Sequence, residues 1–155
     1  MANLIDLLTS FHGRIGRESW WLGFVIILVA SIAGTMVLNP DALSLDPDVV
    51  APPVWADTIW QLVLLVPGTA ITVKRFNDRD WPFWLGYAYG VIGAVLTIAL
   101  HFGFLMQPEP SAAEAVALFL SFPVLLFAFI DNGFLRGMKG ANRYGPDPLE
   151  ASGHA

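Results

Sequence analysis

Residues 20–38 read WWLGFVIILVASIAGTMVL, nineteen consecutive positions without a charge. An α-helix rises about 1.5 Å per residue and needs about 20 residues to cross a hydrocarbon core of about 30 Å. This stretch is therefore long enough for one crossing. It starts too late and runs too long to be the apolar region of a cleavable signal peptide, and it lacks a clear A-x-A cleavage pattern. Three further stretches have the same character: Trp55 to Val73, interrupted by Asp57 and Gln61; Pro82 to Met106; and Ala112 to Leu135, with Glu114 and Asp131 near its ends. Four such segments in 155 residues predict a polytopic membrane protein.

Composition agrees. Apolar residues make up 55% of the chain and charged residues 14%, against roughly 25% charged in soluble domains. Mean hydropathy is +0.60. Lipid as solvent removes the need for a polar surface. With no cysteine there is no disulfide framework, thiolate nucleophile or zinc–thiolate site.

The net charge of −5 conceals a segregation along the chain. Arg14 and Arg17 precede the first apolar stretch, Lys74, Arg75 and Arg79 lie between the second and third, and Arg136, Lys139 and Arg143 follow the fourth, which accounts for all eight basic residues. The other two connections carry Asp41, Asp46, Asp48 and Glu109 and no Lys or Arg. Basic loops stay cytoplasmic, so the alternation predicts both termini inside and two acidic loops outside. The six tryptophans, Trp20, Trp21, Trp55, Trp60, Trp81 and Trp84, stand at or near the expected span ends, as an interfacial aromatic belt would.

The expected architecture is all-α. Residues 1–19 form an amphipathic amino-terminal segment. Residues 20–144 hold four transmembrane helices at about 20–38, 55–73, 82–106 and 112–135. Residues 145–155 form a flexible tail. Leu4, Leu7, Leu8 and Phe11 recur at helical spacing, which reads either as an interfacial helix on the inner leaflet or as a helix packed on the bundle. Pro40, Pro47, Pro52 and Pro53 predict an extended first outer loop. Pro67 and Pro123 fall mid-span and predict kinks. Gly86, Gly90 and Ala94, like Ala30 and Gly34, are small residues at four-residue spacing that let helices approach closely. That serves packing within the chain or a homodimer seam. Trp20–Phe24 and Phe83–Tyr87 echo each other at the entries to the first and third stretches.

Three polar segments flank the apolar stretches on the basic side: Phe11-His12-Gly13-Arg14-Ile15-Gly16-Arg17, Lys74-Arg75-Phe76-Asn77-Asp78-Arg79, and Lys139 to Pro148. In this order, with spans between them, they resemble the bacterial inner-membrane family known as domain of unknown function 805, over about Phe11 to Pro148. That family opens its first span with a G-R-x-x-R entry followed by aromatics. It follows its second span with an R-[LF]-[HN]-D segment and closes on G-x-N-x-[YF]-G-x-[DN]-P. Many members carry His where this chain has Asn77, and Ser-Gly-Trp where it has Trp81-Pro82-Phe83-Trp84. The resemblance implies an integral inner-membrane protein and no particular activity.

The candidate site is the polar network these segments would form together: Arg14, Arg17, Arg75, Asn77, Asp78, Asp131, Asn142, Arg143 and Asp147. In one reading Arg75 and Arg143 pair with Asp78, Asp131 and Asp147 and staple helix ends. In another, unpaired guanidinium groups hold a phospholipid headgroup or another anion. Eight basic residues against seven acidic ones on this face (Asp6, Glu18, Asp78, Asp80, Asp131, Asp147, Glu150) favour stapling. Asp57 and His101 form a candidate intramembrane pair near the outer ends of their spans. His12, His101 and His154 are far apart in sequence, and no metal-ligand spacing or phosphate loop appears. No cofactor is expected, no enzyme chemistry and no nucleic-acid partner. Membrane lipid is the expected partner, with a second copy or another membrane protein as further candidates. The leading expectation is a structural or interaction protein; the alternatives are a small transporter or channel component, and a protein that binds or senses anionic headgroups.

Overall fold

The computed structural model describes residues 3–46, 49, 51–104 and 111–151. Expectations placed on Pro47, Asp48, the end of the third stretch with Glu109, and the tail beyond residue 151 with His154 lie outside the described residues. The fold is all-α, with helices α1 (Leu4–Thr9), α2 (Arg17–Leu38), α3 (Trp55–Asp78), α4 (Trp84–His101), α5 (Ala112–Phe134) and α6 (Pro148–Ala151). α2 to α5 are each long and apolar enough to cross a membrane. This is a membrane protein.

The molecule is inverted relative to a soluble domain. Large apolar side chains are exposed along α2, α4 and α5, whereas the largest side chains buried almost completely are Arg75, Lys74, Val73, Asn132 and Asp131. The polar core lies at one end of the bundle, here termed the basic end. α1, the start of α2, the end of α3 and the end of α5 meet there. α3 is central and packs against α1, α2, α4 and α5.

α3 and α4 end in the same way. Beyond α3, Asp80 takes a left-handed conformation at φ 58°; the Trp81 N–H reaches Phe76 O and the Asp80 N–H reaches Asn77 O. Beyond α4, Gly103 at φ 88° does the same, with the Phe104 N–H on Ala99 O and the Gly103 N–H on Leu100 O. Both are Schellman closures, in which a left-handed residue turns the chain back onto the last carbonyls. The sequence reading ended the second span at Val73 and extended the third to Met106. No helix breaker stands between Val73 and Asp80, so α3 runs on to Asp78. Gly103 stops α4 early. Pro40 opens a single 3₁₀ turn, Pro40–Leu43, where an extended loop was expected. Pro67 and Pro123 both lie inside continuous helices.

The small residues are used within the chain. Gly34 leaves room for the Trp60 indole, whose Nε1 donates to Ala30 O at 3.0 Å. Gly86, Gly90 and Gly93 of α4 lie against Val73, Thr69 and Leu65 of α3. α1 docks on the bundle: Leu7 is 2% exposed and clusters with Ile15, Trp20 and Ile71. Phe11 stacks on Tyr87 with centroids 5.8 Å apart. Trp55 and Trp84 are exposed, as a belt requires, but Trp20 is 4% exposed and packs among Trp21, Phe24 and Phe129.

Gly90→Leu should push Thr69 away from α4 and destabilise the bundle by about 1–3 kcal/mol. At Gly68 no heavy atom lies within 4 Å of an added methyl, so Gly68→Ala should be neutral or stabilise by up to about 1 kcal/mol. Thermal unfolding in mild detergent reads both. Equal midpoints would show that the α3–α4 contact does not depend on the missing side chain.

Candidate functional site

The last four carbonyls of a helix have no partners within it. α5 ends on Leu135 in an extended conformation, not on a left-handed cap. Its terminal carbonyls are taken one by one by side chains of α2 and α3 or by residues just beyond them. Arg75 Nε donates to Asn132 O at 2.8 Å, and Arg75 Nη2 donates to Leu135 O. Trp21 Nε1 donates to Gly133 O at 3.0 Å, and Arg17 Nη1 to Phe134 O at 3.1 Å. Arg79 Nη1 donates to Arg136 O at 2.6 Å. Five successive carbonyls, the last three of α5 and the two beyond it, are thereby satisfied by four side chains, three of them cationic where the helix dipole is negative.

The same turn of α3 caps α1. Lys74 Nζ donates to Asp6 O and Leu7 O, each at 2.7 Å. Charge alone places Lys74, Arg75 and Arg79 in the connection after the second apolar stretch; in the structure they belong to the end of α3 and its cap. Lys74 and Arg79, with Trp21, are further members of the network, beyond those expected from sequence. Their signal was the i, i+1, i+5 placement of cations on a helix with no breaker to stop it.

Asp78 is the counter-charge. Its carboxylate accepts from Arg75 Nη1 and, at 3.0 Å, from Arg14 Nε, and Arg14 Nη2 is ion-paired with it at 3.0 Å. All three side chains are almost fully buried, at 0%, 1% and 5% exposure for Arg75, Arg14 and Asp78. Arg14 also reaches Gly140 O, Gly145 O and Met138 O. It therefore ties the segment before α2 to the segment after α5. Gly137 passes so close to Asp78 that a β-carbon there would collide with the carboxylate.

Around this centre the closing segment folds on itself. Asn77 Nδ2 donates to Gly13 O, and Asn142 Nδ2 donates to Asn77 O. Asn142 Oδ1 accepts from the Tyr144 N–H, and the Tyr144 hydroxyl donates to Trp81 O. Asp147 accepts from the Gly140 and Leu149 N–H groups, at 3.0 and 2.9 Å. The Leu149 N–H chiefly holds its carboxyl below the usual carboxylate range. Burial pushes the other way, and the Gly140 N–H, Arg14 and Arg136 add to the lowering.

Every member of the predicted network is thus at the basic end, but the ion pairs differ from those expected. Arg75 takes Asp78, as read. Asp131 pairs with Arg79 at 3.2 Å, and Arg143 with Asp80 at 3.0 Å. Asp147 takes backbone donors instead. The reason is supply: Arg75 has spent its donors on Asn132, Leu135 and Asp78, and Arg143 stands outside, 56% exposed.

Asp57 and His101 do not form the expected pair. Asp57 Oδ1 accepts from Thr35 Oγ1 at 2.8 Å and from Gln61 Nε2 at 3.4 Å. Gln61 also donates to Thr35 Oγ1 and accepts from Ser31 Oγ. This polar string zips α2 to α3. His101 Nδ1 lies 2.8 Å from Thr58 Oγ1, and its ring lies 3.6 Å from that of Trp55. The two side chains point to different neighbours because α3 presents Asp57 to α2 and Thr58 to α4. Among the described residues no group of three or more His, Cys, Asp or Glu is placed to hold a metal ion.

A protein family matches the chain over residues 8–146, from just before the Gly13–Arg17 entry almost to Asp147; it is described as "Protein of unknown function (DUF805)". The chain belongs to this family. Among its relatives is the uncharacterized protein YiiR of Escherichia coli (strain K12), 32% identical over 146 residues covering 90% of this chain and 86% of the relative. YiiR of Escherichia coli O157:H7 matches to the same extent. No solved structure matches. The matched DUF805 region holds the residues that close the basic end, from Arg14 to Gly145.

Asp78→Asn leaves two buried guanidinium groups without their shared counter-charge. Breaking a buried pair costs about 3–5 kcal/mol, whereas Arg143→Ala removes an exposed pair worth about 1 kcal/mol or less. Denaturation in micelles should separate the two variants by that margin; equal stabilities would mean that Asp78 does not hold the end together. Acid should loosen the closing segment through Asp147. A carboxyl lowered in the folded state stabilises fully above its unfolded value of about 3.9, and the contribution is lost as pH falls through the lower folded value. Hydrogen exchange at the Gly140 and Leu149 amides should rise over that window. It should be high already at neutral pH in Asp147→Ala.

Proposed function

We propose that this DUF805 chain is an integral protein of the bacterial inner membrane, with both termini in the cytoplasm, acting as a structural or interaction protein and not as an enzyme. The observation that carries the reading is the fate of the buried cations. Arg14, Arg75 and Lys74 direct their donors to the protein's own carbonyls and to Asp78. A site that bound and turned over a substrate would keep such groups available. The orientation is supported by the gathering of all eight basic residues at one end, against acidic loops at the other, in line with the positive-inside rule.

The transporter or channel reading has less support. Asp57 and His101 serve separate contacts, and the two span prolines sit in unbroken helices.

A reporter fused after Ala155 should be active as a cytoplasmic fusion, and activity in the periplasm would overturn the orientation. In proteoliposomes, Asp57→Asn should leave ion and solute flux at the level of empty vesicles, as for the parent. Parent flux that the variant abolished would replace the structural reading with transport. Turnover of lipid or nucleotide by purified protein would replace it with catalysis.

A further inference from the structure

The basic residues divide into two groups. Arg14, Lys74, Arg75 and Arg79 are committed to carbonyls and carboxylates inside the protein, and Arg143 pairs with Asp80. The remaining three, Arg17, Arg136 and Lys139, are exposed. Arg17 places Nη1 on Phe134 O, and its other donors have no hydrogen-bonded or ion-paired partner among the described residues. The side chains of Arg136 and Lys139 have no hydrogen-bonded or ion-paired partner among the described residues.

Of these three cations Arg17 bridges the seam between α2 and the end of α5, and Arg136 and Lys139 follow two and five residues beyond that end. The Arg136 backbone is anchored, since its carbonyl accepts from Arg79, so its side chain leaves the protein from a fixed point. Next to them the seam turns apolar. Phe129 and Phe134 stand edge-on to each other and to Trp21, with centroids 5.7–5.9 Å apart. Phe134 is 56% exposed and Ile130 44%. The acidic groups nearby are Glu18, adjacent to Arg17, and Asp147, which lies within electrostatic range of Arg136 but accepts two backbone N–H groups.

We propose that this α2–α5 seam binds the headgroup of an anionic phospholipid, with Arg17 and Arg136 on the phosphate oxygens, Lys139 beside them, and an acyl chain along Ile130 and Phe134. A guanidinium fork matches two phosphate oxygens. A cation at the headgroup level of a membrane attracts anionic lipid at about 1 kcal/mol per residue. The apolar surface adjoining the cations distinguishes a lipid from a free anion, which would gain nothing from it. The site excludes Arg14 and Arg143, the arginines that sequence alone also offered. The proposal rests on the reading that the chain spans a bilayer, but not on which face is cytoplasmic.

The experiment is lipid retention by native mass spectrometry, on full-length protein from nanodiscs of equimolar phosphatidylglycerol and phosphatidylcholine. The parent should retain phosphatidylglycerol in preference by about tenfold or more, at roughly fivefold per charge engaged. R17Q/R136Q/K139Q should reduce the preference to less than about twofold, and R143Q should keep it. Should the triple variant lose its unfolding midpoint, R136Q/K139Q decides, since neither side chain has a hydrogen-bonded or ion-paired partner among the described residues. Equal retention of the two lipids by the parent overturns the proposal. So does an unchanged preference in the variant, or displacement of the lipid by millimolar inorganic phosphate. A periplasmic reporter signal would overturn the orientation alone and leave this measurement standing.

Discussion

A helix that stops at a membrane surface leaves a row of carbonyls that neither lipid nor the helix can satisfy, and leaving such a group buried and unpaired costs on the order of 1–3 kcal/mol. α3 and α4 resolve this within their own backbones, through Asp80 and Gly103. α5 does not. The carbonyls from Asn132 to Phe134 and of the two residues beyond, Leu135 and Arg136, are answered by Arg75, Trp21, Arg17 and Arg79. Because the donors come from other elements, capping α5 and assembling the bundle are one event. The choice of arginine follows. One guanidinium spans Asn132 O, Leu135 O and Asp78 together, and an ammonium point charge could not cover three acceptors in those directions. Lys74 suffices for α1 because Asp6 O and Leu7 O are adjacent.

Burying so many charges is costly unless each is paired and hydrogen-bonded. At its centre the basic end meets that condition through Asp78, which accepts from both Arg14 and Arg75; beside them Asp131 is ion-paired with Arg79, but its carboxylate accepts no hydrogen bond among the described residues. Packing supplies the other half. Between helices already surrounded by hydrocarbon there is little hydrophobic drive to associate. Close approach at Gly34, Gly86 and Gly90, and the string from Ser31 to Asp57, join α3 to its neighbours instead.

Much of this was legible in the sequence because lipid imposes a coarse rule: long uncharged runs must be helices. The four runs, the family motifs and the gathering of Arg14, Arg75, Asp78 and Asn142 at one end all followed. What the sequence did not show was partner choice. Charge spacing could not tell that Asp131 would face Arg79 and not Arg75, because that depends on how α5 rotates against α3. Nor could it separate Asp57 from His101, since two polar residues at similar depth need not share an interface. The length of α3 was readable and was missed: Lys74 to Asp78 reads as a loop by charge and as a helix by the absence of any breaker. The burial of Trp20 likewise depends on Gly133, which gives its ring room from a helix more than a hundred residues away.

The position of Arg14 sets an order on biogenesis. Its carboxylate partner, Asp78, is synthesised only after the second span, and its carbonyl partners at Met138, Gly140 and Gly145 only after the fourth. Until synthesis has passed Gly145, this guanidinium lacks the three carbonyls that complete its burial. Its burial therefore marks a completed topology. A truncated or misthreaded product would display a free charge and an uncovered α3 terminus, features by which proteolytic surveillance could tell it from the finished molecule.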